Sequence, residues 1–199
     1  MANIQALISA SISVKQQMLS DSHILAEIQK VADAVTHSLK NGGKIWFCGN
    51  GGSAADAQHI AAELSGRFYM DRDPLPAEAL HVNTSYLTAV ANDYGYDVVY
   101  SRLLKGVAQK GDVLFAISTS GNSTNILNAM HVAREKGVTI IGMTGETGGK
   151  MRELCDLLLN VPSQDTPRIQ ESHILLGHIV CQLVEENLFG TQISADESR

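Results

Sequence analysis

No apolar run in the chain approaches the ~20 residues needed to cross a bilayer. The first residues, 1–17, hold no basic segment ahead of an apolar block, so no secretory leader is expected. Cysteine is scarce: Cys48, Cys155 and Cys181 are scattered among apolar neighbours. An odd count without a CxxC pair excludes a zinc finger and makes buried thiols in a reducing cytoplasm the simplest reading. Positive charge is in deficit, with 15 Lys and Arg against 21 Asp and Glu and a net charge of −6. That balance disfavours nucleic acid or an anionic membrane as the main partner and leaves room for a local pocket that takes a small anion. The patterns GxxxxGK[ST] and GxGxxG are both missing, which weighs against a nucleoside triphosphate or a dinucleotide. No internal repeat, linker or low-complexity tract is present.

What is present is the makeup of a folded domain: 199 residues, 44% hydrophobic and 18% charged. That length can bury a core without disulfides or a structural metal. The expectation is a single domain over 1–199, with N-terminal helices at 1–40, an α/β core at 44–190 and a loose polar tail at 191–199. Apolar residues at helical spacing predict two helices before Asn41-Gly42-Gly43, broken at Ser20-Asp21-Ser22. Short apolar runs at 44–48, 112–117, 138–143 and 157–161 predict buried strands, with another possible at 77–81. Helices are expected at 54–66, 84–92, 97–108, 124–136 and 168–189. This alternation predicts a parallel sheet covered on both faces. The N-terminal pair could form an interaction arm.

Ligands in such sheets sit beyond the carboxyl ends of the strands. Two loops fall there. Gly49-Asn50-Gly51-Gly52-Ser53 allows close backbone approach just before a helix. Ser118-Thr119-Ser120-Gly121-Asn122-Ser123 offers four hydroxyls and an amide, the groups that bond a phosphate monoester densely. Ordinary helix capping is the competing reading of each loop. On helix 54–66, His59 and Glu63 stand at i, i+4 and share a face, a spacing that suits two metal ligands, an acid–base pair or a surface ion pair. The last helix carries Arg168, Gln170, Glu171, His173 and His178. Gln170 and His178 are eight residues apart, ~12 Å along an ideal helix. A single centre using both requires an irregular helix or a second copy of the chain. Asn92-Asp93-Tyr94-Gly95-Tyr96 reads as a polar turn between helical segments. His23, His37 and His131 read as surface or cap residues, and His81 has no evident partner.

Four motifs occur in order: Cys48-Gly49-Asn50-Gly51-Gly52-Ser53, Asn92-Asp93, Ser118-Thr119-Ser120-Gly121-Asn122-Ser123, and Arg168-Ile169-Gln170-Glu171-x-His173. With helical His59 and Glu63, they closely resemble the phosphoheptose isomerase family of the sugar isomerase (SIS) domain superfamily, from about residue 4 to 189. The resemblance implies a flavodoxin-like α/β fold with five parallel strands. It implies a cytoplasmic homotetramer whose active sites lie between subunits. Its reaction converts D-sedoheptulose 7-phosphate to D-glycero-D-manno-heptose 7-phosphate, opening ADP-heptose synthesis for lipopolysaccharide and other surface heptoses. By the same resemblance, Ser53, Ser118, Thr119, Ser120 and Ser123 hold the phosphate, and Asn50, Gly51, Gly52, Asn92, Asp93 and Gln170 contact the sugar. His59, Glu63, Gln170 and His178 match the zinc ligands, and Glu63 and His178 the proton-transfer pair. The stretch before Arg168 departs from the pattern: it reads Gln164-Asp165-Thr166-Pro167, where an aspartate is expected directly before the arginine. The rival readings are a non-catalytic SIS protein that binds the bacterial replication initiator, a sugar-phosphate sensor, and an isomerase for another sugar phosphate. The presence of His59, Glu63, Gln170 and His178 favours the enzyme.

Overall fold

A computed structural model describes residues 3–190. The expected loose tail lies outside the described residues. Five strands form one all-parallel sheet: β1 (Ile45–Gly49), β2 (Ala77–Ala79), β3 (Val113–Ile117), β4 (Thr139–Thr144) and β5 (Leu157–Asn160). Their spatial order is β2-β1-β3-β4-β5. Among the described residues, seven α-helices connect or flank them: α1 (Ile4–Ser20), α2 (Ser22–Lys40), α3 (Gly52–Ser65), α4 (Thr84–Tyr94), α5 (Val99–Val107), α6 (Thr124–Lys136) and α7 (Thr166–Phe189). The expected α/β class and parallel sheet are both present.

The central strands β1 and β3 are buried at every position because both of their faces meet helices, while Glu78 of β2 and Asn160 of β5 mark the sheet edges. Ile45, Phe47, Val113, Phe115, Ile117, Ile141 and Met143 point into one core layer, where they meet α2, α3 and α7. Trp46, Cys48, Leu114, Ala116 and Ile140 point the other way, toward α5 and α6. Within the first layer the Phe47 and Phe115 rings stack at 4.8 Å between centroids, which matches their pairing in register across β1 and β3.

The two N-terminal helices are not equivalent. Ile24, Ile28, Val31, Ala32 and Val35 of α2 are buried in the first core layer. Helix α1 keeps Ile4, Leu7, Ile8 and Ile12 exposed along one side. The break between them is set by Asp21, whose carboxylate accepts from the amides of His23 and Ile24 and caps α2.

Three local expectations change. Helix α3 starts at Gly52, so Gly52 and Ser53 belong to its first turn rather than to the preceding loop. Asn92 and Asp93 are helical, in the last turn of α4, and Gly95 ends that helix. Asn83 caps α4 through the amide of Tyr86, and that nucleation carries the helix through the polar pair. Helix α7 is continuous from Thr166 to Phe189, so the irregularity considered near Gln170 does not occur.

Candidate active site at the sheet switch point

In this strand order the chain leaves β1 and β3, which are neighbours, toward opposite faces. Helix α3 packs into the first layer and α6 into the second. The crevice between the two departing loops is where ligands bind in open α/β sheets. The loops after β1 and β3 therefore lie side by side although 65 or more positions separate them in sequence. Asn50 and Asn125 bridge them: each side-chain amide donates to the other's oxygen at 2.9 Å. The Tyr100 hydroxyl donates to the Gly49 carbonyl from below. Asn125 and Tyr100 were not signalled by the sequence, because neither lies in a recognisable motif.

Both helices that begin at the crevice lack a side-chain cap. Gly51 precedes α3 and has no side chain to offer. Ser123 occupies the cap position of α6 without bonding the helix amides. Its hydroxyl instead lies 3.0 Å from that of Ser118, which is 3.5 Å from that of Ser120. Ordinary capping thus does not account for these residues. The amides of Ser53, Ala54 and Ile126 bond backbone carbonyls, which leaves those of Gly52, Thr124 and Asn125 open beside a hydroxyl cluster, an arrangement suited to an anion. Ser53 and Ser118 are buried, Thr119 and Ser123 half-buried, and Ser120 exposed. The second loop needs glycine at 121: its φ is +66°, and a Cβ there would strike the carbonyl of Gly148.

Helices α3 and α7 run side by side in the same direction. Gly52 faces Gln170, whose amide nitrogen would lie 2.5 Å from a Cβ at 52. About two turns further on, Gly177 of α7 meets Ile60, and His178 meets His59. The Nε2 atoms of these histidines are 3.2 Å apart, and Nε2 of His59 is 2.9 Å from Oε1 of Glu63. Ligand atoms of His59, Glu63 and His178 all lie within 4.8 Å of one another. A neutral imidazole nitrogen carries one proton or one lone pair. The Nε2 proton of His59 cannot serve both Glu63 and His178 at full strength. A divalent cation resolves the convergence, since two donors at zinc-like distances of ~2.0–2.1 Å stand roughly 3.3 Å apart in a tetrahedron. The donor set of two imidazoles and one carboxylate fits such an ion. Gln170 is not in this group: within one chain it lies two turns back, at the first loop.

The remaining candidates fall into distinct places. Asn92 and Asp93 are exposed at the end of α4 and hydrogen-bond to each other at 2.9 Å. Arg168 donates to the Leu7 carbonyl and pairs with Glu171 at 2.7 Å, tying α7 to α1. Asp165 precedes α7 and lies 4.0 Å from Arg168. His173 is fully buried; its Nε2 donates to the Thr144 carbonyl at 3.1 Å while Nδ1 has no partner. Burial pulls its pKa down to about 4. Asp56, one turn before His59, has one carboxylate oxygen buried without a partner, and desolvation raises its pKa. Burial pushes the thiols of Cys48, Cys155 and Cys181 up to about 12, so none is poised as a nucleophile. His23, His37 and His131 are exposed, as expected, while Nδ1 of His81 is buried and unpartnered.

The chain is similar to known proteins along most of its length. A family model for the SIS domain matches residues 10–145. A phosphoheptose isomerase of Burkholderia pseudomallei is 59% identical over 90% of this chain and 91% of its own length. One from Mycobacterium bovis is 55% identical over the same shares. Among solved structures, phosphoheptose isomerase from Neisseria gonorrhoeae is 44% identical with a TM-score of 0.86, covering 92% of this chain and 97% of that one. With this much of the chain aligned, and with a crevice of open helix termini beside a His–Glu–His cluster, the protein belongs to the phosphoheptose isomerase family of SIS-domain proteins and is an isomerase.

Proposed function

We propose that the chain interconverts D-sedoheptulose 7-phosphate and D-glycero-D-manno-heptose 7-phosphate through an enediol. The observation that carries this reading is the placement of the His59–Glu63–His178 cluster on the helix pair that starts at the phosphate crevice. Ser53 stands in the first turn of α3 and His59 follows six residues later, ~9 Å along the axis. A long sugar phosphate held by its tail thus presents its far end toward the cluster. The relatives named above supply the heptose.

Ser53, Ser118, Thr119, Ser120 and Ser123, with the unpaired amides of Gly52, Thr124 and Asn125, bind the phosphate. Asn50, Gly51, Gly52, Asn92, Asp93 and Gln170 contact the sugar. The contact of Gln170 with Gly52 supports that role. The exposure of Asn92 and Asp93 leaves them free to meet a sugar. One of Glu63 and His178 removes the carbon-bound proton and the other serves the oxygens. Phosphate binding, remote from the reacting carbons, holds C1 and C2 against this pair.

His59, Glu63 and His178 hold a divalent ion, which we assign as zinc. When bound, it polarises the carbonyl oxygen. A carboxylate held tightly by zinc is a poor base, so Glu63 acts as ligand and as base at different moments. Gln170 joins the metal only if a second copy of the chain supplies it. The exposed apolar side of α1, with Ile4, Leu7, Ile8 and Ile12, supports assembly into a homotetramer with shared sites. We read the chain as one domain, acting in the cytoplasm at the head of ADP-heptose synthesis. Its three free thiols, Cys48 and Cys181 buried and Cys155 half-buried, support a reducing compartment.

Incubation with sedoheptulose 7-phosphate, beside a pull-down with the replication initiator, tests the reading. Formation of the aldose phosphate is expected. Capture of the initiator without turnover would favour the non-catalytic alternative.

A further inference from the structure

Seven residues beyond His178 on the same face of α7 lies Glu185, a carboxylate only 1% exposed. It accepts four hydrogen bonds, from the amides of Phe68 at 3.0 Å, Tyr69 at 2.9 Å and Met70 at 3.0 Å, and from Nε of Arg72 at 2.9 Å. Arg72 uses its other nitrogens on the carbonyls of Glu63 at 2.9 Å, Leu64 at 2.8 Å, Gly66 at 3.0 Å and Asp73 at 3.1 Å. Glu63 and Leu64 lie in the last turn of α3, where carbonyls have no helical partner and a positive charge is favoured. The guanidinium thus grips the end of the helix that bears His59 and Glu63. The carboxylate belongs to the helix that bears His178. Between them runs the 66–72 loop, whose Phe68 ring lies 5.5 Å from the His178 ring.

A buried ion pair is weak evidence for stability, because desolvation offsets the attraction. Here all four bonds to the carboxylate come from the 68–72 stretch, and Arg72 carries the tie on to the end of α3, an arrangement that specifies geometry. We propose that Glu185 and Arg72 are positioning residues: by fixing the α3–α7 separation they set how closely His59, Glu63 and His178 converge. For its kinetic readout the proposal rests on the isomerase reading above. The phosphate hydroxyls lie at the opposite end of α3 and do not touch the pair.

The test compares the unsubstituted chain with Arg72→Lys and Glu185→Gln by kcat and KM for sedoheptulose 7-phosphate and by the visible spectrum of bound Co²⁺. Lysine keeps the charge but loses the planar fork. Both variants are expected to lose about 30- to 100-fold in kcat with KM changed less than about 3-fold, and to show altered Co²⁺ bands. A folded variant with unchanged kcat and unchanged Co²⁺ bands, or with only KM raised, overturns the proposal. If Glu185→Gln does not fold, Arg72→Lys decides alone. If the unsubstituted chain leaves the sugar phosphate unchanged, the isomerase reading falls and the Co²⁺ bands alone judge the clamp. If it neither turns over substrate nor binds Co²⁺, both readings are overturned.

Discussion

The Nε2 atoms of His59 and His178 lie 3.2 Å apart, although 119 positions separate the residues in the chain. Glu63 stands 2.9 Å from the same nitrogen of His59. Three groups rich in lone pairs, drawn this close, compete for too few protons. A divalent ion held by the three would remove the conflict. Replacing His178 by Ala is therefore expected to weaken Zn²⁺ binding by more than about 100-fold, beyond the range usual for outer partners of a metal site. Calorimetric titration of the metal-free protein measures this, and unchanged affinity would reject the cluster as the metal site.

Glu63→Gln keeps the shape of the side chain and removes its basicity. Turnover is expected to fall by about 10²–10⁴-fold, the usual worth of a positioned general acid or base. KM should hold within a few-fold, because the phosphate grip lies elsewhere. Steady-state kinetics decide, and near-normal kcat would remove Glu63 from proton transfer.

Gly52→Ala tests the seat of Gln170. Helical backbone tolerates alanine and on propensity gains up to about 1 kcal/mol. The added Cβ would meet the Gln170 amide at 2.5 Å and push it aside. The expected result is a melting temperature that holds or rises, together with a clearly raised KM. An unchanged KM would show that Gln170 does not contact the sugar.

Asn125→Leu would leave the half-buried amide of Asn50 without its reciprocal partner. An unsatisfied polar group costs about 1–3 kcal/mol when fully buried, so a half-buried one costs about 1 kcal/mol. Urea unfolding should show a loss of that order, with weaker substrate binding as the two loops separate. Full stability in the variant would mean that the bridge contributes nothing.

His173 makes stability depend on pH. Its folded pKa is about 4, against 6.5 for the free side chain, because burial disfavours the charged ring. Between those values the unfolded chain binds the extra proton, so stability rises with pH through the window and is lost as pH falls from about 6.5 toward 4. The contribution reaches roughly 3 kcal/mol. His173→Gln, compared with the unsubstituted chain by urea midpoints at about pH 7.5 and about pH 5, should show a flatter dependence. Parallel slopes would contradict this assignment.

Much of the architecture is legible in the sequence. Runs such as Val113–Ile117 are apolar at every position, which marks a strand covered on both sides. The loops beginning at Gly49 and Ser118 stood out because glycine and hydroxyl residues sit between a strand and a helix. His59 and Glu63 were legible through their i, i+4 spacing, a property of one helix. Other features were hidden. Asn92 and Asp93 look like turn residues, and their helical state depends on a cap nine residues earlier. Glu185 reads as any charged residue on a helix, and its partners lie 113 to 117 positions away.

Local chemistry along the chain determined the strands, the helices, the open helix termini and the inventory of groups able to move a proton or hold a metal. These follow from periodicity and from short-range steric and hydrogen-bonding preferences. Only the packed molecule decided that β1 and β3 are neighbours and that His178 meets His59. It also decided that Gln170 stays with Gly52, and that one buried carboxylate ties α7 to the end of α3. Those choices depend on burying two apolar layers at once against a twisted sheet, and no stretch of sequence read by itself contains that constraint.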